Sequence, residues 1–278
     1  MERLPSWIRR HLAALRALLV LTLVTGAVYP LVVTGVAQTV FNAGANGSLV
    51  QKDGRDVGSA IVGQSFTGAG GEPVGRYFQS RPSVAGDGYD MLATAASNLG
   101  PEDVVDILGA KGRQSLLTQV CARSRAVGEL EGVSGARPYC TPDGVGAVLK
   151  VFPTVGAPTR VVSVNQACPA TPFVAEYRGV RVECGRPGED YAAGRTVPVR
   201  GTARAVVPAD AVTASGSGLD PDISVAYAEL QAARVARERG VPVERVRRLI
   251  AANTTGRPLG FMGEPAVNVL ELNLALDR

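Results

Sequence analysis

The sequence predicts an α+β external domain on a single N-terminal transmembrane helix, with a β-rich insertion in the domain. Three features support this: one long uncharged apolar run, helical and alternating patterns towards the C-terminus, and a middle segment of short β-like runs punctuated by Pro and Gly. The 278 residues are 46% apolar and 19% charged, which excludes a coiled coil and a highly charged disordered chain.

The net charge of +4 is concentrated at one end of the chain. Residues 1–41 carry +3, residues 42–101 carry −1, residues 102–201 carry +2, and residues 202–278 are neutral. The sequence has no basic stripe and no interleaving of basic and aromatic residues of the kind that binds nucleic acid. We therefore expect no nucleic-acid partner.

Ala17–Phe41 is a run of 25 residues without a formal charge. A helix of this length reaches about 37 Å, more than the hydrocarbon core of roughly 30 Å. Arg9, Arg10 and Arg16 precede the run, and positive charge favours the cytoplasmic side. We predict a cytoplasmic tail over residues 1–16, a transmembrane helix over 17–41, and a main domain outside the cytoplasm.

A cleaved signal peptide is the alternative, because Ala43–Ala45 has the small-x-small pattern of a cleavage site. The apolar run is longer than a signal peptide requires, which favours a retained anchor. Pro30 should bend or loosen the helix near Gly26 and Ala27. With Gly35, these residues indicate packing against other membrane helices, although a simple tether also tolerates them.

The external domain is expected to comprise residues 42–101 and 201–278. In its C-terminal part, Asp220 is the expected N-cap of a helix that starts at Pro221 and stops at Gly240. A second helix is expected in PVERVRRLIAAN. Leucine at every second position over Leu270–Leu276 predicts a strand with one buried face.

Residues 102–200 are expected to form a separate insertion. A helix-like stretch over residues 101–124 gives way to short β-like runs. We expect two disulfides rather than a zinc site, because no Cys-x-x-Cys pair or nearby His is present and the region is predicted to lie outside the cytoplasm. The three possible pairings stay open. The four cysteines are Cys121, Cys140, Cys168 and Cys184.

No catalytic or metal-ligating set is predicted. His11 is the only histidine and lies beside the predicted anchor, so a Ser-His-Asp or Cys-His arrangement is excluded from the main domain. The stretch Gly109–Gly112 lacks the hydroxyl residue that completes a P-loop. Histidine-based hydrolysis and a P-loop phosphate site are therefore not expected in the main domain.

The segment TASGSGLDP contains the one candidate binding loop. Its backbone N–H groups, close to the helix predicted at Pro221, suit an anion, whereas a plain turn followed by an N-cap is the alternative. Asp220 would repel an anion, which favours the turn on physical grounds. The candidate residues are Ser215, Gly216, Ser217 and Gly218.

Several stretches resemble the C subunit of the Kdp potassium-transporting P-type ATPase of bacteria. They cover about residues 15–101 and 205–277. The matching stretches are VTGAVYPLVVTGVAQ, NGSLV, VGSAIVGQSF, RYFQSRPS, AASNLGP, VPADAVTASGSGLDPDIS, ARVARERG and GRPLGFMGEPAVNVLELNLALD.

The resemblance implies an accessory, non-hydrolytic subunit of a potassium uptake complex. Its partners would be a potassium-channel-like A subunit, an ATP-hydrolysing B subunit and the lipid bilayer. Two roles are implied: a catalytic chaperone that raises ATP affinity, with Ser215–Gly218 as the nucleotide contact, or an external element that assists potassium entry. No intrinsic cofactor is expected; ATP would come through the B subunit, and potassium is the transported ion.

The sequence departs from the family in its middle, where 105 residues separate Pro101 from Val207. The resemblance does not explain this segment, which we expect to be a surface excursion. If the segment carries the function, the chain is instead a membrane-anchored binding or adhesion module.

Overall fold

A computed structural model of the chain describes residues 5–95 and 99–278. It contains two compact units, Met1–Ile61 and Val62–Arg278, which are described separately below. The charges of Glu2 and Arg3, and residues 96–98 of the AASNLGP motif, lie outside the described residues.

The first unit consists of one long helix and a short hairpin. The helix runs over Ser6–Val40 and is long and apolar enough to cross a membrane, with a mean hydropathy of 2.1 over its most apolar 18 residues. The described elements are α1 (Ser6–Leu23), a π-helical turn (Val24–Val28), α2 (Tyr29–Val40), α3 (Asn42–Ala45), β1 (Leu49–Lys52) and β2 (Arg55–Ser59).

The π turn lies where the sequence predicts a weak point in the helix. Pro30 has no backbone N–H to donate to the preceding turn, and the helix widens over Val24–Val28. The prediction that the helix loosens near Gly26 and Ala27 is therefore confirmed.

The second unit contains helices and two sheets. Its described elements are α4 (Leu116–Glu131), β3 (Val148–Phe152), β4 (Arg160–Ala167), β5 (Glu176–Tyr177), β6 (Val180–Gly185), β7 (Arg195–Pro198), β8 (Asp222–Ser224), α5 (Val225–Arg239), α6 (Val243–Ala252), β9 (Thr254–Thr255), β10 (Ala266–Asn268) and α7 (Val269–Leu276).

The middle segment contributes a five-stranded sheet in the order β5-β6-β4-β3-β7. The pairing of β4 with β6 is parallel and the other pairings are antiparallel. Consecutive residues Val148 and Leu149 belong to different apolar clusters on this sheet, so both faces are covered. The β-like runs predicted here are therefore strands.

Both expected disulfides are present. Cys121 is bonded to Cys140, with their Cα atoms 5.5 Å apart, and Cys168 is bonded to Cys184, with their Cα atoms 5.1 Å apart. The first bond joins α4 to the loop that follows it, and the second lies beside the parallel strand pair. Of the three pairings that the sequence left open, the structure selects this one.

The largest apolar core lies between α5, α6, α7 and the sheet β8-β10-β9. Fully buried side chains include Phe78, Tyr227, Val267 and Leu272. Half-buried Val120 and Val127 of α4 pack against the same core. The expectation that residues 102–200 form only a surface excursion is therefore wrong for α4.

Helix α4 also begins later than the helix-like pattern suggests. Residues 101–115 are not helical, and the helix starts after the N-cap Ser115, whose side chain accepts a hydrogen bond from Thr118. Asp103 and Asp106 accept bonds from the backbone N–H groups of Leu116 and Ser115. These acidic residues hold the start of the helix rather than lying inside it.

Two element assignments near the C-terminus are wrong. The N-cap of α5 is Ser224, four residues after Asp220, because Asp222–Ser224 pairs with β10 as a strand. The run Leu270–Leu276 lies within a helix rather than a strand. A run with leucine at every second position also places leucines four residues apart, on one face of a helix. The N-cap Asn268, whose side chain accepts from the N–H of Glu271, starts a helix at this point. The stop at Gly240 and the second helix are confirmed.

Candidate functional site

The backbone of the RYFQSRPS motif is held by buried side chains from two helices. Asn273 of α7 bonds both backbone groups of Phe78, with N···O distances of 2.8 and 3.0 Å. Gln231 of α5 does the same for Gln79, at 2.7 and 3.1 Å. Because a buried peptide group without a partner costs free energy, these amides determine where this segment can lie.

Arg234 extends this arrangement to α4. Its guanidinium bonds both carboxylate oxygens of Glu131 at 3.0 Å and donates to the carbonyls of Gly75 and Tyr77. The two side chains are almost fully buried, with exposed fractions of 2% for Arg234 and 0% for Glu131. Burial raises the pKa of Glu131, and Arg234 opposes that rise.

This ion pair is not among the predictions from the sequence, in which ARVARERG is only a family motif and Glu131 lies in a separate insertion. An arginine at position 234, between the buried residues Ala232 and Val235, was a usable signal, because an arginine on the apolar face of a helix needs a partner.

The candidate loop lies against the RPS part of the same motif. Arg81 forms an ion pair with Asp220 at 2.8 Å and donates more weakly to the carbonyls of Thr213 and Ala214. Ser83 donates to the carbonyl of Gly218 at 2.6 Å. Two motifs far apart in the sequence, RYFQSRPS and VPADAVTASGSGLDPDIS, therefore form one surface.

The four candidate residues occupy different environments. Ser215 is 8% exposed, and its hydroxyl has no hydrogen-bond partner among the described residues. Gly216 and Ser217 are exposed, and the Ser217 hydroxyl accepts from the N–H of Leu219 at 3.1 Å. Gly218 is buried in the left-handed conformation, with φ of 73°.

The helix start that was expected to assist this loop lies elsewhere. Helix α5 begins at Val225, after β8, and the side chain of Asp210 accepts from the N–H and hydroxyl of the N-cap Ser224. An anion site at a helix start beside Pro221, the less favoured of the two interpretations of this loop, therefore has no helix start at that position. The loop can offer a ligand only its own backbone and hydroxyl groups.

The carboxylates near this loop are not free charges. Asp220 is paired with Arg81, and Asp222 accepts from the side chain of Asn268 at 3.3 Å. Burial, with Asp220 adding to it, raises the pKa of Asp222. Neither carboxylate has the exposed, unpaired charge that would raise the local cation concentration.

Tyr89 closes the other side of this surface. Its hydroxyl donates to the carbonyl of Arg81 at 2.5 Å, and its backbone N–H donates to Ser83 at 2.9 Å. Burial, with a smaller contribution from Asp220, raises the pKa of Tyr89 from 10.0 to about 12. The neutral, donating form of the phenol is thus favoured in the folded chain.

Replacing Tyr89 with Phe is expected to lower the free energy of unfolding by about 1 kcal/mol at neutral pH, because the hydroxyl bond is lost. Between pH 10.0 and about 12, Tyr89 ionises in the unfolded wild-type chain but not in the folded one. The free energy of unfolding of the wild type therefore falls, and its difference from that of Tyr89→Phe narrows. Urea midpoints of both proteins at neutral and alkaline pH measure this. A difference that widens with pH would contradict it.

The described residues thus contain one helix long and apolar enough to cross a membrane and a folded α+β unit, the features of a membrane-associated protein. The family model described as "KdpC: K+-transporting ATPase, c chain" matches residues 11–123 and 190–278. The chain belongs to this family. It is a membrane-associated subunit of the potassium-transporting ATPase complex and is not catalytic on its own.

Curated relatives match along nearly the whole chain. The potassium-transporting ATPase KdpC subunit of Mycobacterium tuberculosis (strain H37Rv) is 39% identical over 97% of this chain and 98% of its own length. The KdpC subunit of Gemmatimonas aurantiaca is 40% identical over 95% of this chain, and that of Streptomyces coelicolor is 38% identical over 96% of it. The alignments cover 92% of the length of each of these two relatives. These alignments span the segment 124–189 that the family model leaves unmatched, so these relatives share it.

Proposed function

We propose that the helix Ser6–Val40 crosses the membrane with its N-terminus in the cytoplasm, and that the unit Val62–Arg278 lies outside, where it assists potassium entry. The observation that carries the proposal is the pair of disulfides in this unit. Structural disulfides persist in oxidising compartments and are rare in the cytosol. Arg9, Arg10 and Arg16, on the N-terminal side of the apolar run, support the same orientation.

The anchor has features of a helix that packs against others. Gly26 and Gly35 are helical glycines, and beyond the adjacent helix backbone an added Cβ at either would meet nothing within 4 Å. Their own chain therefore does not require glycine there, whereas close helix packing in a membrane does. We propose that this helix packs against helices of the potassium-channel-like A subunit, in a complex that also contains the ATP-hydrolysing B subunit.

A loop of the folded unit supports assembly as well. Between β9 and β10, Leu259, Phe261 and Met262 are 81%, 73% and 50% exposed. Leu259 has a φ of 54°, and Arg257 is paired with Glu264 across the base of the loop. Clustered exposed apolar side chains mark interaction sites, so we propose that this loop contacts a partner subunit.

Replacing Phe261 with Ser is expected to weaken recovery of the partner subunits about tenfold or more, as for a central aromatic contact. The measurement is co-purification of the tagged chain from mild detergent, with the urea midpoint confirming that the variant folds. Leu92→Ser is the matched control, since Leu92 is 99% exposed on a different loop. Full recovery with Phe261→Ser would exclude the loop from the interface.

Labelling of single thiols tests the orientation. All four natural cysteines are disulfide-bonded, so a Cys introduced at Ser217 or at Ser6 is the one reactive thiol in each variant. In intact cells, a membrane-impermeant maleimide should label Ser217→Cys at once and Ser6→Cys only after permeabilisation. The opposite pattern would place the folded unit in the cytoplasm and remove the proposal.

The potassium dependence of ATPase activity tests the role. A complex that lacks this subunit should need a higher potassium concentration for half-maximal activity while its apparent ATP affinity stays the same. The converse result, a change in ATP affinity alone, supports the catalytic chaperone role.

One observation supports the catalytic chaperone role. The buried Ser215 hydroxyl has no partner among the described residues, and a bound ligand is one way to satisfy such a group. A nucleotide at Ser215–Gly218 would need a cytoplasmic loop, so the thiol-labelling experiment also separates the two roles.

A further inference from the structure

A cleft of the folded unit lies between α4 and the segments around Phe66 and Arg81, and Arg81, Ser83 and Tyr89 of the surface described above form one of its walls. It has a volume of about 450 Å³. None of the residues Ser215–Gly218 lines it, so it is distinct from the candidate loop. Its volume falls within the range of sites that bind small organic molecules.

Much of the lining is apolar. Val127 and Leu130 of α4 face the cleft together with Phe66 and Pro82 from the opposite wall, and Tyr227 is also part of the lining. Val127 and Leu130 are half-buried, so each leaves part of its apolar side chain exposed. The walls suit an apolar ligand body.

One cationic side chain in the wall has no anionic partner. Arg123 donates to the carbonyl of Val212 at 3.1 Å and to the side-chain oxygen of Gln119 at 3.3 Å, both of which are neutral acceptors. Arg123 forms no ion pair with any residue that the structure describes, and burial lowers its pKa. A half-buried guanidinium in this state gains from an anionic ligand.

The other charges in the lining limit the ligand to a single negative charge. Arg81 is already paired with Asp220, although its Nε is buried without an acceptor. Asp87 is exposed and lines the same cleft, where it opposes a second negative charge. Arg123 is left as the one cation that a ligand could neutralise.

We propose that this cleft binds a small organic monoanion, a carboxylate on an apolar body, with Arg123 as its ion-pair partner. The proposal concerns the folded unit alone and holds for either orientation in the membrane. Phenylbutyrate is the probe, titrated calorimetrically into the full chain in detergent micelles. Phenylbutanol tests the need for charge, and inorganic phosphate and phenyl phosphate test the preference for a carboxylate.

Arg123→Gln should weaken phenylbutyrate binding about tenfold or more, because a charge-assisted hydrogen bond is lost. Arg125→Gln is the matched control: it removes the same charge from the same helix, but Arg125 is exposed, is paired with Glu129 and does not line the cleft. Asp87→Asn should strengthen binding. Ala126→Phe should block the cleft while Arg123 and Arg125 remain, so it tests the site even if Arg123→Gln unfolds the chain.

Three results would overturn the proposal. They are phenylbutanol binding as tightly as phenylbutyrate, equal weakening by Arg123→Gln and Arg125→Gln, or no binding of phenylbutyrate to the wild-type chain at millimolar concentration. Tighter binding of phenyl phosphate than of phenylbutyrate would also overturn the assignment to a monocarboxylate.

Discussion

Replacing Glu131 with Ala is expected to lower the free energy of unfolding by about 3–5 kcal/mol, because Arg234 would keep a buried charge without a partner. The guanidinium is 2% exposed and also binds the carbonyls of Gly75 and Tyr77, so it cannot turn towards water without breaking other bonds. Urea unfolding of the full chain in detergent, followed by circular dichroism, measures the loss.

The same helix supplies the control. Glu129 pairs with Arg125 at 2.8 Å, but both side chains are more than half exposed. Glu129→Ala should therefore cost no more than about 0.5 kcal/mol. A double variant, Glu131→Leu with Arg234→Met, should recover much of the stability lost in Glu131→Ala, because it leaves no buried charge. Equal losses for Glu131→Ala and Glu129→Ala would show that the buried pair does not stabilise the fold.

Replacing Gly218 with Val is expected to cost about 2–4 kcal/mol, from a left-handed backbone and an overfilled contact. An added Cβ at Gly218 would lie 2.8 Å from the Cβ of Ala85 and 3.1 Å from the carbonyl oxygen of Ala95. Ser83 also bonds the Gly218 carbonyl, so the loop cannot move away freely. The urea midpoint of the full chain gives the cost.

Gly216→Val separates folding from binding in the same loop. A Cβ at Gly216 meets nothing within 4 Å, and the residue is exposed, so the variant should unfold at the wild-type midpoint within about 0.5 kcal/mol. If the loop contacts a nucleotide, this variant should still bind more weakly in a titration of the full chain. Equal or absent nucleotide binding in wild type and Gly216→Val would show that this loop is not a nucleotide site.

The helices with strong local signals were predictable from the sequence. Helix α6 has apolar residues on one face and charges on the other, and Gly240 stops α5 because it adopts a positive φ there. The run Leu270–Leu276 predicts a strand although it is helical, because seven residues are too few to distinguish an alternating pattern from a helical one. Burial of Leu272 and the bonds of Asn273 to Phe78 are tertiary effects that no local pattern contains.

Within the candidate site, the sequence indicates the loop Ser215–Gly218 but not the contacts that fix its position. Ser215–Gly218 are candidates because of their backbone N–H groups near an expected helix start and because of the family resemblance, whereas the ion pair of Arg81 with Asp220 joins residues 139 positions apart. Glu131 and Arg234 are 103 positions apart. A single sequence reports neighbours along the chain, so contacts between residues so far apart in the sequence do not follow from it.

The pairing of β3 with β7 determines where the chain could be shortened. Val148 begins β3 opposite Pro198, the last residue of β7, so the chain enters and leaves the five-stranded sheet at strands about 5 Å apart. Excising residues 148–198 would need only a tight turn to rejoin the ends, and it would remove Cys168 and Cys184 as a bonded pair. An excision that began at residue 102 would instead delete Glu131 and leave Arg234 without its counter-ion.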